Sequence, residues 1–120
     1  MTRRKERYVA IASDPQASPS KLANVIISAY KDLFGVLGLA SARLKLVKTY
    51  PDMGVAIFKC ALEHLPRLLL AVSTVTELNG EPAALRIIIV SGTIRKVKEE
   101  IRGALDLLHR RLNSRRISRL

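Results

Sequence analysis

Few residues in this chain are equipped for chemistry, and those few do not stand together. Cys60 is the sole cysteine, and His64 and His109 are the two histidines. Neither histidine has a cysteine or carboxylate at metal-ligand spacing, so each reads as a helix-end or surface histidine. Cys60 alternates inward with Ala56 and Phe58, the pattern of a buried structural thiol rather than a nucleophile. One cysteine also excludes an intramolecular disulfide and every Cys-rich zinc site. We therefore expect no catalytic residue, no metal and no cofactor held by the protein itself, and a reducing, cytoplasmic compartment. The chemistry the sequence does favour is contact with anions. In Ser91-Gly92-Thr93-Ile94-Arg95-Lys96-Val97-Lys98 a glycine turn opens a helix, so free backbone N–H groups point out at the positive end of the helix dipole. Arg95, Lys96 and Lys98 stand beside them, and Thr93 is the natural N-cap. Cations oppose the dipole at this end, so their presence there asks for an anionic partner.

The elements that must position these residues follow from periodicity and turn residues. Arg7 to Ala12 reads as a strand, closed by Ser13-Asp14-Pro15-Gln16-Ala17. Ser18-Pro19 opens a helix with an apolar face of Leu22, Val25 or Ile26, Ala29 and Leu33, ended near Phe34 by Gly35 and Gly38. Arg43 to Lys48 is a half-exposed strand, turned by Pro51-Asp52-Met53-Gly54 into a second strand over Val55–Ala61. Pro66 begins a second helix, striped by Leu65, Leu68 or Leu69, Val72 and Val75 or Thr76, with Asn79-Gly80 as its stop. Ala84 to Val90 is a strand whose run Ile87-Ile88-Ile89-Val90 suggests a central position. Ile94, Val97, Ile101, Leu105, Leu108 and Leu112 then stripe a last helix. Gly35-Val36-Leu37-Gly38 has the GXXG form of a KH-domain backbone clamp. Two apolar central residues and no adjacent cation make it a helix stop followed by packing.

Length and charge set the frame for this order. The chain has 120 residues, 21 Lys plus Arg against 10 Asp plus Glu, a net charge of +11 and 48% hydrophobic residues. That is a folded basic domain rather than a disordered basic tail. Residues 1–112 are expected to form one domain and 113–120 a flexible basic tail, which rules out a separate cofactor domain. The charge is concentrated at the two ends: residues 1–7 contribute +3 and 91–120 contribute +6, leaving +2 for the middle. Thirteen of the basic residues are Arg, which suits bidentate phosphate contact and so nucleic acid. Arg3, Arg4, Lys5 and Arg7 join Ser91, Gly92, Thr93, Arg95, Lys96 and Lys98 as candidate RNA-binding residues. No unbroken apolar run approaches the ~20 residues of a membrane span, and the stretch after Arg7 ends too soon for a signal peptide; no membrane association is expected.

Strand, helix, strand, strand, helix, strand and an extra helix is the ferredoxin-like βαββαβ plan, an α/β (α+β) sandwich on a four-stranded antiparallel sheet. The RNA-recognition motif shares it. That motif stacks bases on aromatics of its first and third strands, but here Val55 and Ile57 stand where the rings belong, and Phe58 faces the core. Tyr8 alone is placed to stack. With aromatics at 4% and no Trp, contact through phosphate and shape is favoured over base reading. The apolar outer face of the sheet calls for cover by the last helix or by a protein partner.

Arg7-Tyr8-Val9, Gly35 to Ala40, Gly54-Val55-Ala56-Ile57-Phe58-Lys59-Cys60, Asn79-Gly80 and Val90-Ser91-Gly92-Thr93-Ile94-Arg95-Lys96, in this order, resemble archaeal ribonuclease P protein component 2, the Pop-five family, over roughly residues 7–100. The resemblance implies a noncatalytic subunit of the ribonucleoprotein that removes 5′ leaders from precursor tRNA. It also implies that the RNA and its Mg²⁺ ions do the cutting. The implied partners are ribonuclease P RNA, a TIM-barrel-like component 3 and other ribonuclease P proteins, with homodimer and heterotetramer both open. The competing reading is a ferredoxin-like protein-interaction or regulatory module whose basic surface only keeps it soluble.

Overall fold

In the computed structural model the described residues are 5–118, with side chains described except at 108, 109 and 112–118. Strand β1 (Glu6–Asp14) lies between β3 (Val55–Ala61) and β6 (Ala84–Ser91), antiparallel to both, and β2 (Lys45–Tyr50) flanks β3. The sheet order β2-β3-β1-β6 is that of the ferredoxin-like plan. Period-two alternation splits the two central strands between two cores. Val9, Ile11, Ala56, Phe58 and Cys60 face α1 (Pro19–Ala42) and α2 (Leu65–Thr74), meeting Leu22, Ile26, Tyr30, Leu68 and Val72. Ala10, Ala12, Val55 and Ile57 face α3 (Ile94–Ser118) and meet Val97 and Ile101. The two alanines of β1 leave room for α3 to lie close to the sheet. The last helix thus covers the outer face, and the two positions that would need stacking rings, Val55 and Ile57, are buried beneath it.

Helix α1 starts as its sequence dictates: Ser18 is extended, Pro19 is the first helical residue, and the Ser18 carbonyl accepts the Leu22 N–H at 3.1 Å. Gly35, at φ 75° and ψ 176°, interrupts it, but residues 36–42 resume the helix and Arg43 closes it in the left-handed region. Gly38 is therefore inside a helix rather than a stop. It is there because a Cβ would come within 2.8 Å of Phe34 Cβ. By length and composition α1 is also apolar enough to cross a membrane, which a search for unbroken apolar runs does not detect. Its Leu22, Ala23, Ile26 and Tyr30 are buried in the sheet core, while Leu33, Val36 and Leu37 further along stay exposed.

Three further expectations are corrected. Helix α2 ends at Thr74, because the Ser73 and Thr74 hydroxyls donate to the carbonyls of Leu70 (2.6 Å) and Ala71 (2.7 Å) and Val75 is extended. Asn79-Gly80, both at positive φ, instead turn a small hairpin of β4 (Glu77–Leu78) and β5 (Glu81–Pro82), the type I′ role of this dipeptide. Strand β6 is an edge strand, not a central one. A bulge between Ala10 and Ile11 in its pairing with β1 sends Ile87 toward one core and Ile89 toward the other, while Ile88 and Val90 remain 38% exposed. Helix α3 runs on to Ser118, past Leu112, where the sequence placed a separate tail. Among the described side chains of its apolar stripe Val97 and Ile101 are buried and Leu105 half-buried, and the neighbouring Leu107 is exposed.

Candidate nucleic-acid interface

The turn between β6 and α3 is built by its own hydroxyls. Ser91 Oγ accepts the Thr93 N–H at 3.3 Å, and Thr93 Oγ1 accepts the Lys96 N–H at 3.4 Å, the capping bond expected of an N-cap threonine. The first turn of α3 holds no acidic residue. Arg95 and Lys96 are exposed and Lys98 half-buried, so three cations crowd the positive end of the dipole. Arg95 Nε meets Glu99 Oε1 at 3.3 Å, an exposed i,i+4 pair worth little by itself.

Pairing of β1 with β6 brings a distant basic residue to this turn. Tyr8 lies opposite Ser91, and the preceding Arg7 reaches Gly92 closely enough that a Cβ there would stand 3.4 Å from Arg7 Nη1. The guanidinium is held by donating to the Glu6 carbonyl at 2.9 Å. Two basic segments far apart in sequence therefore meet at one corner. Lys5 is exposed beside it, and its carbonyl accepts the Leu62 N–H at 2.9 Å. Arg3 and Arg4 lie outside the described residues. Arg102, not among the candidates from sequence, lines one surface groove with Arg95 and Lys98; the 95–98–102 helical spacing is the signal that finds it.

The other chemical candidates are placed as follows. Cys60 is 1% exposed, and burial pushes its thiol up to about 11, away from thiolate chemistry at neutral pH. Burial likewise raises the Tyr30 phenol in the same core, against the opposing charge of Arg67. His64 Nε2 is 3.9 Å from its neighbour Glu63, beyond hydrogen-bond reach, and the His109 side chain lies outside the described residues. Among the described residues no three His, Cys, Asp or Glu side chains gather as a metal site.

The raised Cys60 value carries a pH dependence. Above about pH 9 the unfolded thiol loses its proton while the folded one keeps it until about pH 11, so the native state binds more protons and stability falls across that window. Urea titrations from pH 8 to 11 should show wild type losing stability faster than Cys60→Ala; parallel curves would contradict the burial.

The GXXG segment does not pack as expected. Val36 and Leu37 are 65% and 84% exposed and, with the exposed Leu33 shortly before them, leave an aliphatic ridge on α1. The Arg67 guanidinium lies 5.3 Å above the Phe34 ring. The two consecutive apolar residues beyond a helix-breaking glycine were the sequence signal for this ridge.

A ferredoxin-like sheet with helices packed on both faces, Val55 and Ile57 buried where stacking rings would stand, and cations grouped where the last helix begins define a small basic α/β module. The chain belongs to the Rpp14/Pop5 family, whose model matches residues 7–102, in agreement with the resemblance read from the motifs. It is similar to ribonuclease P protein component 2 of Pyrococcus abyssi, 32% identical over 100 residues that cover 82% of this chain and 85% of the relative. It is 29% identical to the ribonuclease P/MRP protein subunit POP5 of Schizosaccharomyces pombe, over 76% of this chain and 67% of that protein. In fold it resembles a chain of yeast ribonuclease MRP, with a TM-score of 0.59 at 15% identity, covering 89% of this chain and 98% of that one.

Proposed function

We propose that this chain is a noncatalytic subunit of ribonuclease P, binding and supporting the catalytic RNA in 5′-leader removal from precursor tRNA. The observation that carries the reading is family membership across both cores and the α3 turn. The RNA contacts are assigned to Arg7, Ser91, Gly92, Thr93, Arg95, Lys96 and Lys98 at the shared corner, to Lys5 beside it, and to Arg3 and Arg4, which precede Lys5 in sequence and lie outside the described residues. Mg²⁺ belongs to the RNA in this reading, and the protein's contribution is to screen phosphates that must approach when RNA helices pack. The exposed aliphatic ridge of Leu33, Val36 and Leu37 on α1 supports a protein contact, with component 3 or a second copy as its occupant. Adding the chain, with its partner protein, to the RNA of the same organism should lower the Mg²⁺ needed for precursor-tRNA cleavage. An unchanged Mg²⁺ requirement would overturn the reading in favour of an interaction module without RNA function.

A further inference from the structure

Strand register gathers a line of side chains that lie far apart in sequence. Lys45 of β2 is opposite Lys59 of β3, Lys59 is opposite Tyr8 of β1, and Tyr8 is opposite Ser91 of β6. Directly opposed residues of antiparallel strands project to the same face. With strands ~4.8 Å apart, the line spans roughly 14 Å across the whole sheet. Tyr8 packs at the margin of the smaller core, so this is the α3 face. The line stays partly exposed beside α3, whose buried Val97 and Ile101 lie over Ala10, Ala12, Val55 and Ile57 in the rows beyond. Lys45 is exposed, and Lys59, Tyr8 and Ser91 are half-buried. Lys48 stands one row on, opposite Ile57 at the same edge, exposed, with Nζ 5.6 Å from the centre of the Tyr50 ring.

The folded chain by itself has no use for this arrangement. Like charges directly opposed on a sheet destabilise it, and Lys45 and Lys59 are such a pair. Among the described residues the ion pair that offsets them is Glu6, 3.4 Å from Lys59 Nζ. One carboxylate thus answers Lys45, Lys59 and Lys48 together. At its other end the line reaches Ser91, whose hydroxyl is tied into the turn where Thr93, Arg95 and Lys96 begin α3. Positive charge therefore stands at both ends of the line, at the β2 edge and at the α3 N-terminus, with the neutral Tyr8 and Ser91 between them. A small anion would occupy one end of such a track, whereas an extended polyanion is matched along its length.

We propose that Lys45, Lys48 and Lys59 continue the RNA interface across this partly exposed row of the sheet. There they hold the sugar-phosphate backbone of a strand that runs from the α3 turn, over Tyr8, to the β2 edge. The proposal rests on the RNA-subunit reading and adds to it a second surface, from the row of the sheet beyond the α3 residues Val97 and Ile101. Lys45 and Lys48 are both exposed on an edge strand, so Lys45→Gln/Lys48→Gln leaves the cores intact, which an unchanged melting temperature would verify. Binding of the same organism's ribonuclease P RNA is then titrated over a salt series. The double variant should bind about tenfold more weakly at moderate salt, with a log–log salt slope flatter by between one and two, as expected for two lost phosphate contacts. Wild-type binding with an unchanged affinity and slope in the double variant would overturn the proposal while leaving the subunit reading standing. Wild-type protein that binds the RNA no better than an uncharged control would overturn both. A double variant that binds RNA normally but no longer joins its protein partner would assign the row to an acidic protein segment and also overturn the proposal.

Discussion

Replacing Arg95, Lys96 and Lys98 together by glutamine is expected to weaken RNA binding at least tenfold while leaving the protein as stable as wild type or slightly more so. The two effects come from one cause. The N-terminus of α3 carries the positive end of the helix dipole, and its first turn has no acidic residue to complement it. Each cation there costs the isolated helix a few tenths of a kcal/mol, and glutamine is nearly as good a helix former as lysine or arginine. The helix itself is held by Val97 and Ile101, both buried and untouched by the substitutions. Binding moves the other way, because three phosphate contacts are lost and the log–log salt slope should flatten by roughly two to three. Thermal melting and a salt-series titration on the same preparation check both halves. A triple variant that binds RNA with the wild-type slope would move the interface away from α3. A variant that melts well below wild type would show these side chains to be structural.

The order of the elements was legible because each rests on local chemistry. Ser18-Pro19 starts a helix, Pro51 to Gly54 turns a hairpin, and the Val97 and Ile101 spacing puts one face of α3 on the sheet. What misled were signals with two local meanings. Asn-Gly at positive φ closes a helix or turns a hairpin, and here the Ser73 and Thr74 hydroxyls had already ended the helix upstream. A run of four β-branched residues marks a central strand unless a bulge redistributes it, and the bulge opposite Ala10 and Ile11 is a property of the pairing, not of the run.

The candidate interface divides along the same line. The Thr93 cap and its cations were readable because they sit within one helical turn. The approach of Arg7 to Gly92 depends on β1–β6 pairing, and the Lys45–Lys59–Tyr8–Ser91 row depends on three registers at once. No local pattern encodes them. The reading of Val55 and Ile57 as replacements for stacking rings was legible, and so was their need for cover, which α3 supplies through Val97 and Ile101.

Gly54 gives the largest expected effect on the fold and separates structure from recognition in the one stretch that resembles an RNA-recognition motif. Gly54→Ala should destabilise the protein by about 2–4 kcal/mol, measured by urea unfolding, from two additive sources. Its φ of +64° is strained for any residue with a Cβ. The space is also taken: a Cβ would collide with Gln16 Cγ and come within 3.2 Å of the Ala17 carbonyl oxygen. Gln16 cannot swing away freely, because its Nε2 donates to the Asp52 carbonyl at 3.3 Å and so ties the loop after β1 to the β2–β3 turn. Gly80→Ala is the control for strain alone, with φ +80° and nothing within 4 Å of its Cβ, and should cost only about 1 kcal/mol. Adding Gln16→Ala to Gly54→Ala should recover part of the loss, whereas Gln16→Ala alone should do little, the coupling expected of residues in contact. The refolded Gly54→Ala protein should bind RNA with the wild-type salt slope, because the glycine is needed for the turn. Wild-type stability combined with lost RNA binding would show instead that Gly54 lies against the nucleic acid, and would reopen the sheet face as a base-reading surface.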